Sequence, residues 1–133
     1  MHVRTRLVLL LCLLVCGGCG RKKSTDELIG DLKSSQEKDR IIAVRTLPQR
    51  KGGAAQVVPA LIEALKDKGS DIRLSAAIGL GSFGEQAKDA IPALQAAQRD
   101  RDTRVREAAG KALSRIDPQQ FPAASKAQGT QGK

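Results

Sequence analysis

The sequence predicts an all-α protein, a short α-solenoid of three helical pairs. Two observations carry that prediction. First, the chain matches itself at a shift of 33 residues: "VPALIEALKDKGSDIRLSAAIGLGSFG" (58–84) falls on "IPALQAAQRDRDTRVREAAGKALSRID" (91–117) without a gap. A fixed period of this length marks units that bury their apolar faces by stacking on one another. Second, Phe83 and Phe121 are the only aromatic residues among 133, with no Trp or Tyr. Alanine, leucine and isoleucine must then make the core, which suits closely packed small helices better than a sheet.

The self-match sets Pro59 on Pro92, Leu61 on Leu94, Asp67 on Asp100 and Arg73 on Arg106. It also sets Ala76 on Ala109, Leu80 on Leu113 and Phe83 on Ile116. The same shift backwards brings in a weaker copy, in which Leu28, Leu32, Arg40, Ala43 and Leu47 take the places of Leu61, Leu65, Arg73, Ala76 and Leu80. The units are 25–53, 54–86 and 87–117.

Each unit reads as two helices. In the second unit Val57, Leu61, Ile62 and Leu65 recur on one helical face, and after the Lys66-Asp67-Lys68-Gly69 turn Ile72, Ala76, Leu80 and Phe83 form another stripe. Pro59 suits a first turn, where its missing N–H has no intrahelical acceptor. Gly84 suits a helix end. Ser24 and Glu27 have the spacing of a capping box and favour a helix start. Pro48 is expected to end the second helix of the first unit early. The first unit has a more polar leading helix, as a terminal cap requires. Residues 118–133, "PQQFPAASKAQGTQGK", are poor in apolar side chains and read as a disordered tail.

Ahead of the repeats, Arg4 and Arg6 precede a ten-residue apolar run, Leu7 to Cys16, and then Gly17 and Gly18. That is the order of a secretory signal peptide. A membrane-spanning helix needs roughly 20 apolar residues, so the run is too short to span well. Cys16-Gly17-Gly18-Cys19 resembles the lipobox of bacterial lipoproteins, in which a small residue precedes a cysteine that receives a diacylglyceryl group. The resemblance implies a signal peptide over 1–18, lipidation at Cys19 and a basic linker over 19–24. Cys16 stands where that pattern usually has Leu. A site at Cys16 would put the branched Val15 before the cleavage, which makes Cys19 the better candidate. Ordinary cleavage near Gly18 or Gly20, or an uncleaved leader, are the alternatives. Arg21, Lys22 and Lys23 could then meet anionic headgroups, each contributing about 1 kcal/mol, or act as a solubilising linker.

The repeat consensus, "PAL…AL.D……R..AA..L", resembles the HEAT-repeat family, in particular the short bacterial form called PBS-lyase HEAT-like, over 26–117. In that family an Asp in the intra-repeat turn and an Arg six residues on build a hydrogen-bonded ladder between units. The resemblance implies that role for Asp67 with Arg73 and for Asp100 with Arg106. In the first unit Ser34 stands with Arg40, so that rung lacks its carboxylate. These residues are expected to be structural rather than catalytic.

The second helices also offer a candidate binding surface. Opposite the Ile72 stripe lie Ile41 and Arg45, then Leu74 and Ile78, then Glu107 and Lys111, with Arg115 nearby. One reading is an apolar strip with a basic rim that grips an acidic protein segment. The other, taken as the default, is that alanine-rich stacking buries those side chains. Lys66, Lys68, Arg99, Arg101 and Arg104 cluster at the turns among Asp67, Asp71, Asp100 and Asp102, and read as a solvated edge.

Composition narrows the function. The formal charge is +9, yet the chain lacks aromatic platforms on which bases stack. The only histidine is His2, and the only cysteines are Cys12, Cys16 and Cys19, all before the repeats. Beyond residue 19 neither an internal disulfide nor a His- or Cys-based catalytic site can form. HEAT-like names include bilin lyases and an iron-dependent hydroxylase, but the hydroxylase class needs His and Glu ligands. The expectation is therefore a non-enzymatic scaffold without cofactor or metal, lipid-anchored in the bacterial cell envelope and docking an envelope protein rather than nucleic acid. The alternative is a lyase-like or chaperone module that handles a cofactor or client protein.

Overall fold

A computed structural model of the chain describes residues 22–122. The leader with Cys19 and Arg21, and residues 123–133, lie outside the described residues. Helix α1 (Thr25–Asp31) pairs with α2 (Glu37–Thr46), α3 (Ala54–Ala64) with α4 (Ser70–Phe83), and α5 (Ile91–Ala97) with α6 (Thr103–Ile116). The described residues contain no strand. An all-helical stack of three pairs is the architecture expected from the repeat.

Local chemistry sets the ends of the elements. Ser24 and Glu27 form the expected capping box: the Glu27 N–H donates to Ser24 Oγ at 3.2 Å, and the Ser24 N–H donates to the Glu27 carboxylate at 2.7 Å. Helix α2 stops at Thr46, and Pro48 sits in a 3₁₀ turn, Leu47–Gln49. Helix α4 stops at Phe83, where Gly84 takes φ +54°, a conformation that costs glycine little.

Two expectations need correction. Pro59 is the sixth residue of α3, not in its first turn, whereas its counterpart Pro92 does lie at the start of α5. Burial of Val57 and Val58 extends α3 backwards over Ala54–Val58, so the proline falls inside the helix. The missing N–H would have bonded to Ala55, an exposed residue, and water can take that carbonyl. In the third unit the counterparts of Ala54–Val57, Ala87–Ala90, belong to the 3₁₀ stretch Gly84–Ala90 instead, and the α-helix begins at Ile91. The second concerns only the start of the expected tail, where Phe121 is held on the stack, since residues 123–133 of that stretch lie outside the described residues. The Phe121 N–H donates to the Asp117 carbonyl at 2.9 Å, and Phe121 packs half-buried on the core.

The core is built in columns at the 33-residue period. Leu28, Leu61 and Leu94 form one column, and Leu47, Leu80 and Leu113 another; all six are buried. Ala43, Ala76 and Ala109 are fully enclosed between them. The second helices form a continuous row, with α4 packed against α2 on one side and α6 on the other. Small residues set their separation. A Cβ on Gly81 would lie 3.0 Å from the Ala112 Cα, and one on Gly79 would lie 2.7 Å from the Pro48 ring.

Glycine-to-alanine substitutions should therefore have opposite signs at two helical positions. Gly30→Ala meets nothing within 4 Å and should stabilise by about 0.5–1 kcal/mol through helix propensity. Gly81→Ala must push α4 and α6 apart and should destabilise by about 1–3 kcal/mol, the usual cost of overpacking. Urea denaturation of the two variants measures both.

Candidate functional site

An arginine near the start of each second helix organises the turns. Arg40, Arg73 and Arg106 each aim Nη1 back into the turn of their own unit, with the same two distances every time. Nη1 of Arg40 donates to the carbonyls of Ser34 (2.9 Å) and Ser35 (3.2 Å). Nη1 of Arg73 donates to Asp67 (2.9 Å) and Lys68 (3.2 Å), and that of Arg106 to Asp100 (2.9 Å) and Arg101 (3.2 Å).

The other edge of the guanidinium reaches forward to the next unit. Arg40 Nε donates to Asp67 Oδ2 at 2.8 Å, and its Nη2 donates to Oδ1 at 3.4 Å. Arg73 repeats this on Asp100 at 2.7 and 2.8 Å. Each rung thus joins residues 27 apart. The rung expected to lack its carboxylate, that of Arg40, is complete. Ser34 only lends its backbone carbonyl, and the acid comes from the following unit. The arginine without an acidic partner among the described residues is Arg106, whose Nη2 donates to Thr103 Oγ1 at 2.7 Å.

These rungs are largely buried. Arg40 and Arg73 are 4% and 6% exposed and are the buried charged residues of the described core. The carboxylates are also held from within their own turns, where Asp67 accepts from the Gly69 N–H and Asp100 from the Asp102 N–H. The hydrogen bond from Arg73 holds the Asp100 carboxyl below its ordinary value against the opposing effect of burial. The same bond raises Arg73.

The neighbouring surface arginines behave differently. Arg104 bridges Asp102 and Asp71 at 2.9 and 3.1 Å in the open, and its hydrogen bonds lower Asp102 to about 2. Lys66 pairs with Glu63. Lys66 and Arg104 are thus paired in the open, and Arg101 donates to the Lys68 carbonyl at 3.2 Å; exposed pairs of this kind add little stability.

The second-helix candidates fall into two groups. Leu74, Ile78, Lys111 and Arg115 line a groove of about 390 Å³ between α4 and α6, with the alanines of both helices as its floor. Ile78 is 53% exposed, so the default expectation that stacking buries it is wrong there. Gly81 and Ala112 bring the backbones together, and the longer side chain at 78 rides over the seam. Leu74 and Ile41 are half-buried against the core, as the stacking reading expects. Ile41 and exposed Arg45 do not line this groove.

Sequence reasoning missed Ile42, which is 47% exposed and lines a second groove with Lys22, Lys23 and Arg50. The available signal was register, since the counterpart of Ile42 one unit on is the polar Ser75. Among the described residues no group of three His, Cys, Asp or Glu side chains is placed to hold a metal ion. No described helix is long and apolar enough to cross a membrane.

Stacked helical pairs joined by buried arginine–aspartate rungs define a short α-solenoid. The chain belongs to the HEAT-repeat family: the model described as "HEAT repeats" matches residues 25–114 and again 72–126. The chain is similar to the uncharacterized protein SkfG of Bacillus subtilis (strain 168), at 31% identity over 97 residues, 73% of this chain and 56% of that protein. It also resembles a chain in the structure of the complex of CpcE and CpcF of phycocyanin lyase from Nostoc sp. PCC7120, with 30% identity and a TM-score of 0.65. That match covers 75% of this chain and 40% of the other. The chain thus spans about half the length of SkfG and less of the lyase chain.

The Arg73–Asp100 rung carries a pH signature. Asp100 has a folded pKa below its unfolded value, so its stabilisation is complete above about pH 4 and is lost as pH falls through the folded value. Asp100→Asn should cost about 3 kcal/mol at neutral pH by leaving Arg73 unpaired. It should also flatten the loss of stability between neutral and acidic pH. Thermal melts of both proteins from pH 7 to pH 2.5 report the two effects.

Proposed function

We propose that this chain is a membrane-tethered HEAT-repeat lipoprotein of the bacterial envelope that acts as a non-catalytic scaffold or adaptor, docking an envelope protein in the groove between α4 and α6. The observation that carries this reading is exposed Ile78 beside half-buried Leu74, with Arg104, Lys111 and Arg115 against the single carboxylate of Glu107 along the rim. An apolar floor with cations at its edge suits a segment that alternates apolar and acidic side chains. The resemblance to a chain from a complex of two proteins supports a role in protein–protein interaction.

The tether rests on sequence. Cys19 after Gly17-Gly18 supplies the acceptor for lipid, and two or more acyl chains are needed for stable anchoring. Of the basic foot, Lys22 is exposed, while Lys23 is engaged with Asp31 at 2.6 Å. Lys23 therefore adds less to headgroup binding than a free lysine would.

A second reading, a lyase-like or chaperone module for a cofactor or client protein, is favoured by one observation: a similar solved structure is that of the complex of CpcE and CpcF of phycocyanin lyase. Binding of purified protein to phycocyanin or its chromophore would support it, and no binding to either removes the lyase form.

For the scaffold reading, the full chain should recover one specific partner from crosslinked membranes, and Ile78→Asp should abolish that recovery. Because Ile78 is 53% exposed, this variant should keep its stability within about 0.5 kcal/mol. Undiminished recovery by Ile78→Asp contradicts the groove. Mass spectrometry of the mature N-terminus should show acylated Cys19, and an unmodified or uncleaved N-terminus contradicts the tether.

A further inference from the structure

The last rung of the ladder is open. In the first two units the forward edge of the guanidinium grips an aspartate of the next unit, and the arginine is buried. In the third unit the forward edge of Arg106 faces the end of the stack. No carboxylate among the described residues pairs with it, its Nη2 turns aside to Thr103, and the residue is half-buried. The backward edge nevertheless holds the same geometry as in the other units, 2.9 and 3.2 Å to two turn carbonyls. The donor fork is therefore held in the orientation that binds a carboxylate in its two sister positions.

The surface around it continues the internal interface. Ala77 and Gly81, where α4 receives α6, have Gly110 and Ser114 as their counterparts on α6. Gly110 and Ser114 line a groove of about 810 Å³ at this end, flanked by Glu107, Lys111, Arg115 and Phe121. The end of the stack is thus shaped for another second helix, and Arg106, Lys111 and Arg115 against the single carboxylate of Glu107 favour an acidic turn.

We propose that this end of the stack docks a helical repeat unit of another protein, whose intra-repeat turn supplies an aspartate to Arg106. A second copy of this chain does not meet the requirement. Its leading turn would present Ser34 at the aspartate position, and Ser34 Oγ is already bonded to Asp39 and to the Gln36 N–H. The missing acid at the leading end and the open fork at the trailing end together make head-to-tail self-stacking incomplete and a foreign unit complete. This surface shares Lys111 and Arg115 with the α4–α6 groove, but it turns on Arg106, which that groove does not include, so its role does not depend on the groove binding anything.

The test uses the full chain, 15N-labelled on arginine, in detergent micelles. The probe is a synthetic peptide of residues 61–74, which carries the Asp67 turn, alongside the same peptide with Asp67→Asn. The Asp peptide should shift the Arg106 Nε–H resonance while those of Arg40 and Arg73, whose forks are filled, stay in place. The Asn peptide should bind about tenfold more weakly, the factor given by losing one charge-assisted bond. Unlabelled wild-type chain should leave the Arg106 resonance unchanged. Arg106→Gln, checked for unchanged helical circular dichroism, should lose the peptide response. A silent Asp peptide, an Asn peptide of equal effect, or a shift caused by the wild-type chain itself each overturns the proposal, the last by making a second copy the occupant.

Discussion

The rung between a buried arginine and the aspartate of the next unit is the interaction on which the rest of the structure depends. A guanidinium taken out of water is costly unless its donors are met, and here each is met from two sides. One edge closes the turn of its own unit, and the other holds the unit that follows. The same side chain thus fixes how a helical pair bends back and how far the next pair is rotated from it. Each rung joins positions 27 residues apart, against a repeat of 33, so the contact always crosses a unit boundary.

That arrangement explains how a core with so few aromatics holds together. Columns of leucine and alanine supply burial, and each column is continuous only while the units stay in register. Gly81 lets α4 approach the backbone of α6 at Ala112, and Gly79 makes room for the Pro48 ring in the turn after α2. The functional surface follows from the same constraint. Where helices approach so closely, a longer side chain such as Ile78 cannot enter the seam and remains on the outside, in a groove that Lys111 and Arg115 also line.

Much of this was legible in the sequence. The period of 33, the capping box at Ser24, the stop at Gly84 and the turn chemistry of Pro48 all depend on local residue types, and all occur as read. The direction of the rungs was not legible. The family resemblance implied a ladder between units, but spacing alone shows an Asp and an Arg six apart in one unit and does not say which arginine meets which aspartate across the boundary. This is why Arg40 looked unpaired and Arg106 looked satisfied, the reverse of what is found. Exposure of Ile78 depended on the closeness of α4 and α6, which Gly81 and Ala112 set together. The position of Pro59 depended on how far burial of Val57 and Val58 extends α3, which is again a tertiary effect.

The most direct measurement of the central claim is a double-mutant cycle on the second rung, with Arg73→Ala, Asp100→Ala and the pair, by urea denaturation at neutral pH. If the rung ties one unit to the next, the two substitutions should be strongly coupled, by about 2 kcal/mol or more. Additivity within about 0.5 kcal/mol would mean that the columns of small residues hold the stack unaided, and would contradict the account.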